Sequence, residues 1–381
     1  MAESESPGLV QSIRRRLSLG RAEPAKEGRA ASEVDSALEN SLRGQISGQL
    51  GAESSEAVVL KTVYDPNKEA EFINKEMAAE GPAPVADVVR NFCDNGIATL
   101  CMKGLKPESP NQDGYAIVMQ DKKFQLFAVL DGHGPHGHDI CQFASDMMLK
   151  LFLRSEARNT DQEKAFTDAF VETQRLLECK TREGDMNADD SGTTCTVAYM
   201  PARAESPQLY VAHVGDSRGV LGRWDTSKRK VQAVDLTQDH KPNNPKERER
   251  IEKKGGRVVF DGYYNYRVYS KDGRGGLNMS RALGDIAAHR AGVTEVPEVA
   301  ALPLEVVKVD LDSASDRFII LCTDGVWEFI ESQMAVDIVA KHGRENVKEA
   351  VDELTRLSYE KWMEDSEGDM SDDITAVVVW L

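Results

Sequence analysis

Twice along this chain an apolar run ends in an aspartate followed by glycine. Phe127-Ala128-Val129-Leu130 leads into Asp131-Gly132, and Phe318-Ile319-Ile320-Leu321-Cys322-Thr323 leads into Asp324-Gly325. Runs of this length without polar interruption predict strands buried on both faces, here over 124–130 and 317–322. A third apolar run, 374–381, follows Asp372-Asp373, and 195–200 and 208–214 read as paired strands around a Pro-containing turn. Helical periodicity takes over at 138–154, where Ile140, Phe143, Ala144, Met147, Met148, Leu151 and Phe152 share one face. It recurs at 163–180, through Ala165, Phe166, Ala169, Phe170, Leu176 and Leu177, and at 332–341 and 345–363. A short charged helix is expected over 246–254. Residues 255–276, heavy in Gly, Tyr, Arg and Lys with few aliphatics, read as a surface lobe or flap. There is no internal repeat.

Strands and helices do not alternate strictly, which argues against a simple parallel sheet. The elements predict an α+β fold, with two packed sheets flanked by helices. Residues 1–55 are rich in Ser, Gly, Ala, Glu and Arg with few aromatics, and are expected to be a disordered tail. Residues 56–90 read as an extension packing on or leading into the core, and 91–381 as the main folded domain. Within the tail, Arg14-Arg15-Arg16-Leu17-Ser18 has the pattern of a basophilic kinase site, set against the plainer reading of a solvated charge run.

Charge changes the picture. The 381 residues carry a formal net charge of −17, of which the first 55 contribute about −1 (7 Lys+Arg against 8 Asp+Glu). The acidity therefore belongs to the folded body, which speaks against nucleic-acid binding and suits a protein that gathers cations. The six cysteines show no C-x-x-C pairing and read as reduced core residues with no structural zinc. No apolar stretch reaches spanning length and no signal peptide is seen, so a cytoplasmic or nuclear protein without membrane contact is expected.

Strand-end carboxylates drawn from distant segments suit hard divalent ions. In Asp131-Gly132-His133-Gly134 the aspartate can bridge two cations, the Gly132 carbonyl can ligate one, and His133 stands where it could hand a proton to a leaving alkoxide. His136 and His138 invite a zinc reading, but the other candidate ligands are carboxylates, which favour magnesium or manganese. Asp324 and Asp372 complete an oxygen-only set.

Eight segments in order then resemble the metal-dependent Ser/Thr protein phosphatases of the 2C type. They are Asn111-Gln112-Asp113, Asp131-Gly132-His133-Gly134, Ser191-Gly192-Thr193-Thr194, Val214-Gly215-Asp216-Ser217-Arg218, Asp239-His240-Lys241-Pro242, Ser280-Arg281-Ala282-Leu283-Gly284-Asp285, Asp324-Gly325-Val326-Trp327-Glu328 and Asp372-Asp373-Ile374-Thr375. The Asn-Gln-Asp form is similar to plant and protist members; animal members carry glutamate where this chain has Gln112. The resemblance implies a four-layer αββα sandwich and two Mg²⁺ or Mn²⁺ ions, with room for a third. Asp131 would bridge both ions, the Gly132 carbonyl would meet one, and Asp324 and Asp372 would hold the other. Asp113 would serve the site directly or through water, and Asp216 and Glu328 would take the looser third ion. His133 would be the general acid, and Lys106 the nearest candidate for holding the substrate phosphate. Residues 243–276 would be the variable flap. Arg281 and Asp285 would tie that flap to the body, with at most a minor role beside the substrate, and Trp327 would pack. The implied substrates are phosphorylated proteins, and a monomer is expected. The alternative is a weakly active phosphatase-like scaffold that binds phosphoproteins; retention of Asp131, Asp324 and Asp372 counts against it.

Overall fold

Each apolar run becomes a strand because both of its faces are covered. The structure, a computed structural model, describes residues 38–50, 57–66, 70–81, 83–201, 208–263, 265–271, 273, 275–290, 305–310 and 316–381. The chain divides into two compact units, Met1–Arg43 and Gly44–Leu381. In the first, the described part is a helical turn in which Ser41 Oγ donates to Leu38 O at 2.7 Å. The kinase-site pattern at Ser18 lies outside the described residues.

In the second unit the described elements run β1 (Ala57–Thr62), β2 (Met77–Glu80), α1 (Val85–Asp94), β3 (Ile97–Met102), β4 (Asp113–Gln120), β5 (Phe124–His133), α2 (Gly137–Arg154), α3 (Gln162–Glu183), β6 (Gly192–Thr193), β7 (Cys195–Pro201), β8 (Gln208–Val214), β9 (Arg218–Asp225) and β10 (Lys230–Asp235). There follow α4 (Pro245–Lys253), β11 (Arg257–Phe260), β12 (Tyr266–Tyr269), β13 (Gly275–Leu277), β14 (Leu283–Gly284), α5 (Ile286–Arg290), β15 (Glu305–Asp310), β16 (Asp316–Cys322), α6 (Asp324–Trp327), α7 (Ser332–His342), α8 (Val347–Asp365) and β17 (Ile374–Trp380).

One sheet has the order β15-β8-β7-β5-β4-β1-β2, with β6 and β14 attached to it through β5; the other has the order β10-β9-β16-β17-β3. Period-two alternation sorts their side chains into three cores. Ala128 and Leu130 of β5 pack with Ile140, Met148 and Phe152 of α2 and with Phe166 and Phe170 of α3. Phe127 and Val129, pointing the other way, meet Leu321 of β16 and Val377 of β17 between the sheets. On the far side Ile320 and Val378 pack with Val336 and Val339 of α7 and with Val351 and Leu354 of α8. That is the expected αββα order. The Pro-containing turn between β7 and β8 lies outside the described residues, but the two strands pair as expected.

The stretch ahead of residue 91 is part of this frame rather than an appendage. β1 pairs with β4, β2 pairs with β1, and the backbone amides of Ile46 and Ser47 both donate to the Glu80 carboxylate at 2.8 Å. The flap is more regular than its composition suggests. α4 and the antiparallel set β11-β12-β13 enclose a small core of Ile251, Val258 and Val268. Among the described residues, no helix is long and apolar enough to cross a membrane.

Candidate active site

Both sheets deliver acidic residues to the same end of the sandwich. Asp113 opens β4 and stands directly opposite Asp131 near the end of β5, so the two side chains face the same way on neighbouring strands. The second sheet reaches them through Thr323, just after β16, whose Oγ1 donates to Asp113 Oδ2 at 2.7 Å. Asp324 follows at once. Asp372 precedes β17, and its carboxylate is paired with the Lys106 ammonium. Asp373 turns the other way, accepting the amides of Gly104 at 2.8 Å and Gln112 at 2.9 Å. Asp216, in the turn between β8 and β9, is fully buried; Lys241 pairs with its Oδ2, while Oδ1 is buried without a partner.

Gly132 and Gly325 serve close approach. Gly132 continues β5, and a Cβ there would lie 2.4 Å from the Gly137 carbonyl oxygen. Gly325 sits inside α6, where a Cβ would come within 1.9 Å of the Asp373 carbonyl oxygen. The Ser191–Thr194 segment pins Asp131: its amide donates to Thr194 Oγ1 at 2.9 Å, and its carbonyl accepts from Thr194 N at 2.8 Å.

His133 ends β5. Its Nε2 donates to Asp285 Oδ2 at 2.7 Å. Gly192 makes room for that carboxylate, since a Cβ there would meet Asp285 Oδ2 at 2.2 Å. Burial pulls the imidazole pKa down, but the Asp285 carboxylate outweighs it and the net shift is upward. Asp285, just beyond the flap, thus bonds to the body through the candidate acid itself and through its own amide, which donates to Ser191 O at 2.9 Å. Arg281 reaches the flap through an ion pair to Glu247 of α4. Trp327 packs as expected, its Nε1 donating to Cys322 O at 2.8 Å.

The electrostatics show a surplus of buried negative charge. Burial raises the Asp113 carboxyl pKa, and Asp373 adds to the shift. Asp131 is raised by burial and then by Asp324, Asp113 and Asp372. Asp324 is pushed up to about 7 by burial, Asp216 and Asp372, against the pull of Lys241. Both lysines respond in kind: burial opposes their charge, but the carboxylates win and hold Lys106 and Lys241 protonated. In this conformation no three His, Cys, Asp or Glu side chains among the described residues stand close enough to hold one ion. The donor chemistry fits hard cations all the same. The ligating groups are oxygens, they repel one another when ionised, and one Asp216 oxygen is buried with nothing to bind.

Of the residues expected at the site, Asp113, Asp131, Gly132, His133, Asp216, Asp324, Asp372 and Lys106 gather at this end. Glu328 is the exception: it is exposed at the end of α6, touching Asp324 only through its backbone amide at 2.8 Å. Sequence reasoning missed Thr323, Lys241 as the partner of Asp216, and Asp285 as the partner of His133. The last two lie in quoted motifs, so the signal was present but its role depended on contacts between distant segments.

The family profile described as protein phosphatase 2C matches residues 105–366. The chain belongs to the protein phosphatase 2C family. Relatives include a probable protein phosphatase 2C of Oryza sativa subsp. japonica, 34% identical over 67% of this chain and 58% of its own length. Another, from Arabidopsis thaliana, is 29% identical over 78% of this chain and 85% of its own. A third, from Paramecium tetraurelia, is 32% identical over 69% and 84%. Among solved structures, a serine-threonine phosphatase 2C from Toxoplasma gondii overlays with a TM-score of 0.61 at 21% identity, covering 74% of this chain and 94% of that one. That likeness shows the fold.

Proposed function

We propose that this protein phosphatase 2C hydrolyses phosphoserine and phosphothreonine in proteins by direct attack of water, with no covalent enzyme intermediate. The supporting observation is the surplus of buried carboxylate at the end of the sandwich, which two lysines only partly neutralise. Asp131, the Gly132 carbonyl, Asp324 and Asp372 would hold a pair of Mg²⁺ or Mn²⁺ ions, with Asp113 serving through a water and Asp216 offering a looser third position. Those ions, when bound, supply Lewis-acid activation of water and neutralise phosphoryl oxygens.

The chain's own residues do the rest. Thr323 holds Asp113 by a hydrogen bond to one of its two carboxylate oxygens. Lys106, paired with Asp372, supplies a positive charge beside the site for the phosphate. His133, whose protonated form Asp285 favours, donates its proton to the departing serine or threonine oxygen. A cytoplasmic or nuclear location belongs to the same proposal.

The leaving group provides the test. With Mn²⁺ saturating, His133→Ala should slow a phosphothreonine peptide about a hundredfold or more, and an aryl phosphate far less, because a phenolate leaves without a proton. Equal losses on the two substrates remove His133 from that role. Hydrolysis that survives thorough chelation removes the ions.

A further inference from the structure

Two lysines lie behind the carboxylates with their ammonium groups buried: Lys75 is 9% exposed and Lys103 3%. Both precede the stretch that matches the family profile, residues 105–366. Lys75 Nζ donates to the carbonyls of Asn111 at 2.8 Å and Asp113 at 2.6 Å. Lys103 Nζ donates to the Lys106 carbonyl at 2.9 Å and lies 3.9 Å from the Glu71 carboxylate. The backbone fixes both. Lys75 N donates to Cys101 O at 2.7 Å, Lys103 N to Ile73 O at 3.2 Å, and Phe72 N to Lys103 O at 2.9 Å, so residues 72–75 lie along the chain at the end of β3.

A buried ammonium is costly unless its donors are satisfied and opposite charge is near. Here backbone carbonyls of the site accept from both ammonium groups, and the Glu71 carboxylate lies beside Lys103. The carbonyls that Lys75 reaches flank Gln112, in the turn that sets Asp113 opposite Asp131. The carbonyl that Lys103 reaches belongs to the lysine paired with Asp372. Nearby, the Cys101 and Cys141 thiols, pushed up mainly by burial, feel Lys75 and Asp113 with opposite signs.

We infer that Lys75 and Lys103 form a cationic floor beneath the carboxylate centre, as positioning residues that hold the 111–113 turn and Lys106 in register. The segment ahead of the family match is then part of the active centre. This rests on the phosphatase reading above.

The full-length chain tests it with Lys75→Met, which keeps the alkyl stem and removes the donor. Partners that orient metal ligands typically contribute about 10–100-fold. On a phosphothreonine peptide with Mn²⁺ the expected result is a kcat at least about tenfold lower with KM within about twofold. Calorimetric titration of the protein alone should show Mn²⁺ binding about tenfold weaker. Native-like circular dichroism with unchanged kcat and unchanged Mn²⁺ affinity overturns the inference. So does tighter Mn²⁺ binding, which would mean that Lys75 acts only as a repelling charge. If Lys75→Met does not fold, Lys103→Met is read by the same two measurements and the same criteria. Inactivity of the unaltered protein with Mn²⁺ would instead overturn the phosphatase reading.

Discussion

The flap and the end of the sandwich both bury charge, and they do so with opposite balances. In the flap a single carboxylate, Glu247, is surrounded by donors: Arg281 Nε at 2.8 Å, Arg250 Nη2 at 2.8 Å and Ser280 Oγ at 2.6 Å. Burial would raise its pKa, but those partners hold it down to about 2. At the sandwich end the carboxylates outnumber the lysines, and Asp113, Asp131 and Asp324 are all shifted upward. The contrast separates a lock from a receptor. Glu247 has its countercharge in the protein, whereas the acidic cluster leaves part of its own to be supplied by a ligand.

The two regions should therefore respond to pH in opposite directions. In metal-free protein, Asp324 has a folded pKa of about 7 against an ordinary 3.8. Its contribution is fully present below the lower value and is lost as pH rises through the upper one, on the order of 4 kcal/mol. The melting temperature without metal should fall from about pH 4 to about pH 8 and recover on adding Mn²⁺. A flat profile in the absence of metal would break the contrast.

Glu247 runs the other way, its contribution present above 4.5 and lost as pH falls toward 2. Glu247→Gln should loosen the flap by about 3 kcal/mol, because it leaves Arg281 poorly compensated. Hydrogen exchange would read this as faster opening of β11 and β12 with the sandwich strands unchanged. Exchange that rises equally in both would mean the flap is not a separate unit of stability.

The smallest expected effect lies between the regions. Asp285 has φ +43°, a conformation that asparagine accepts readily, so Asp285→Asn should fold normally. It should lower kcat on phosphopeptides about tenfold while leaving aryl phosphates nearly untouched, by weakening support for protonated His133. A loss confined to KM would reassign Asp285 to substrate binding.

Much of this was legible along the chain, for reasons that differ by residue. The strands around Phe127 and Ile320 were readable because burial on both faces leaves no polar position. The helices at 137–154 and 162–183 were readable because only one face is buried. Asp131, Asp324 and Asp372 stood out as acids at the ends or starts of those strands. Gly325 stood in a quoted motif, but only the folded chain shows why it is glycine: the approach of the Asp373 carbonyl leaves no space for a side chain. Lys75 carried no signal, since an isolated lysine between asparagine and glutamate reads as solvated surface.

Local patterning therefore determined which segments become strands and helices, and which acids sit at their ends, because burial and periodicity act over a few neighbouring residues. Pairing was decided only by the folded chain. That His133 meets Asp285, that Lys241 covers half of Asp216, and that Lys75 lies under Asp113 each depend on residues 25 to 152 positions apart. Charge pairing is set by distance in space, and that distance exists only once the two sheets have closed on their common core.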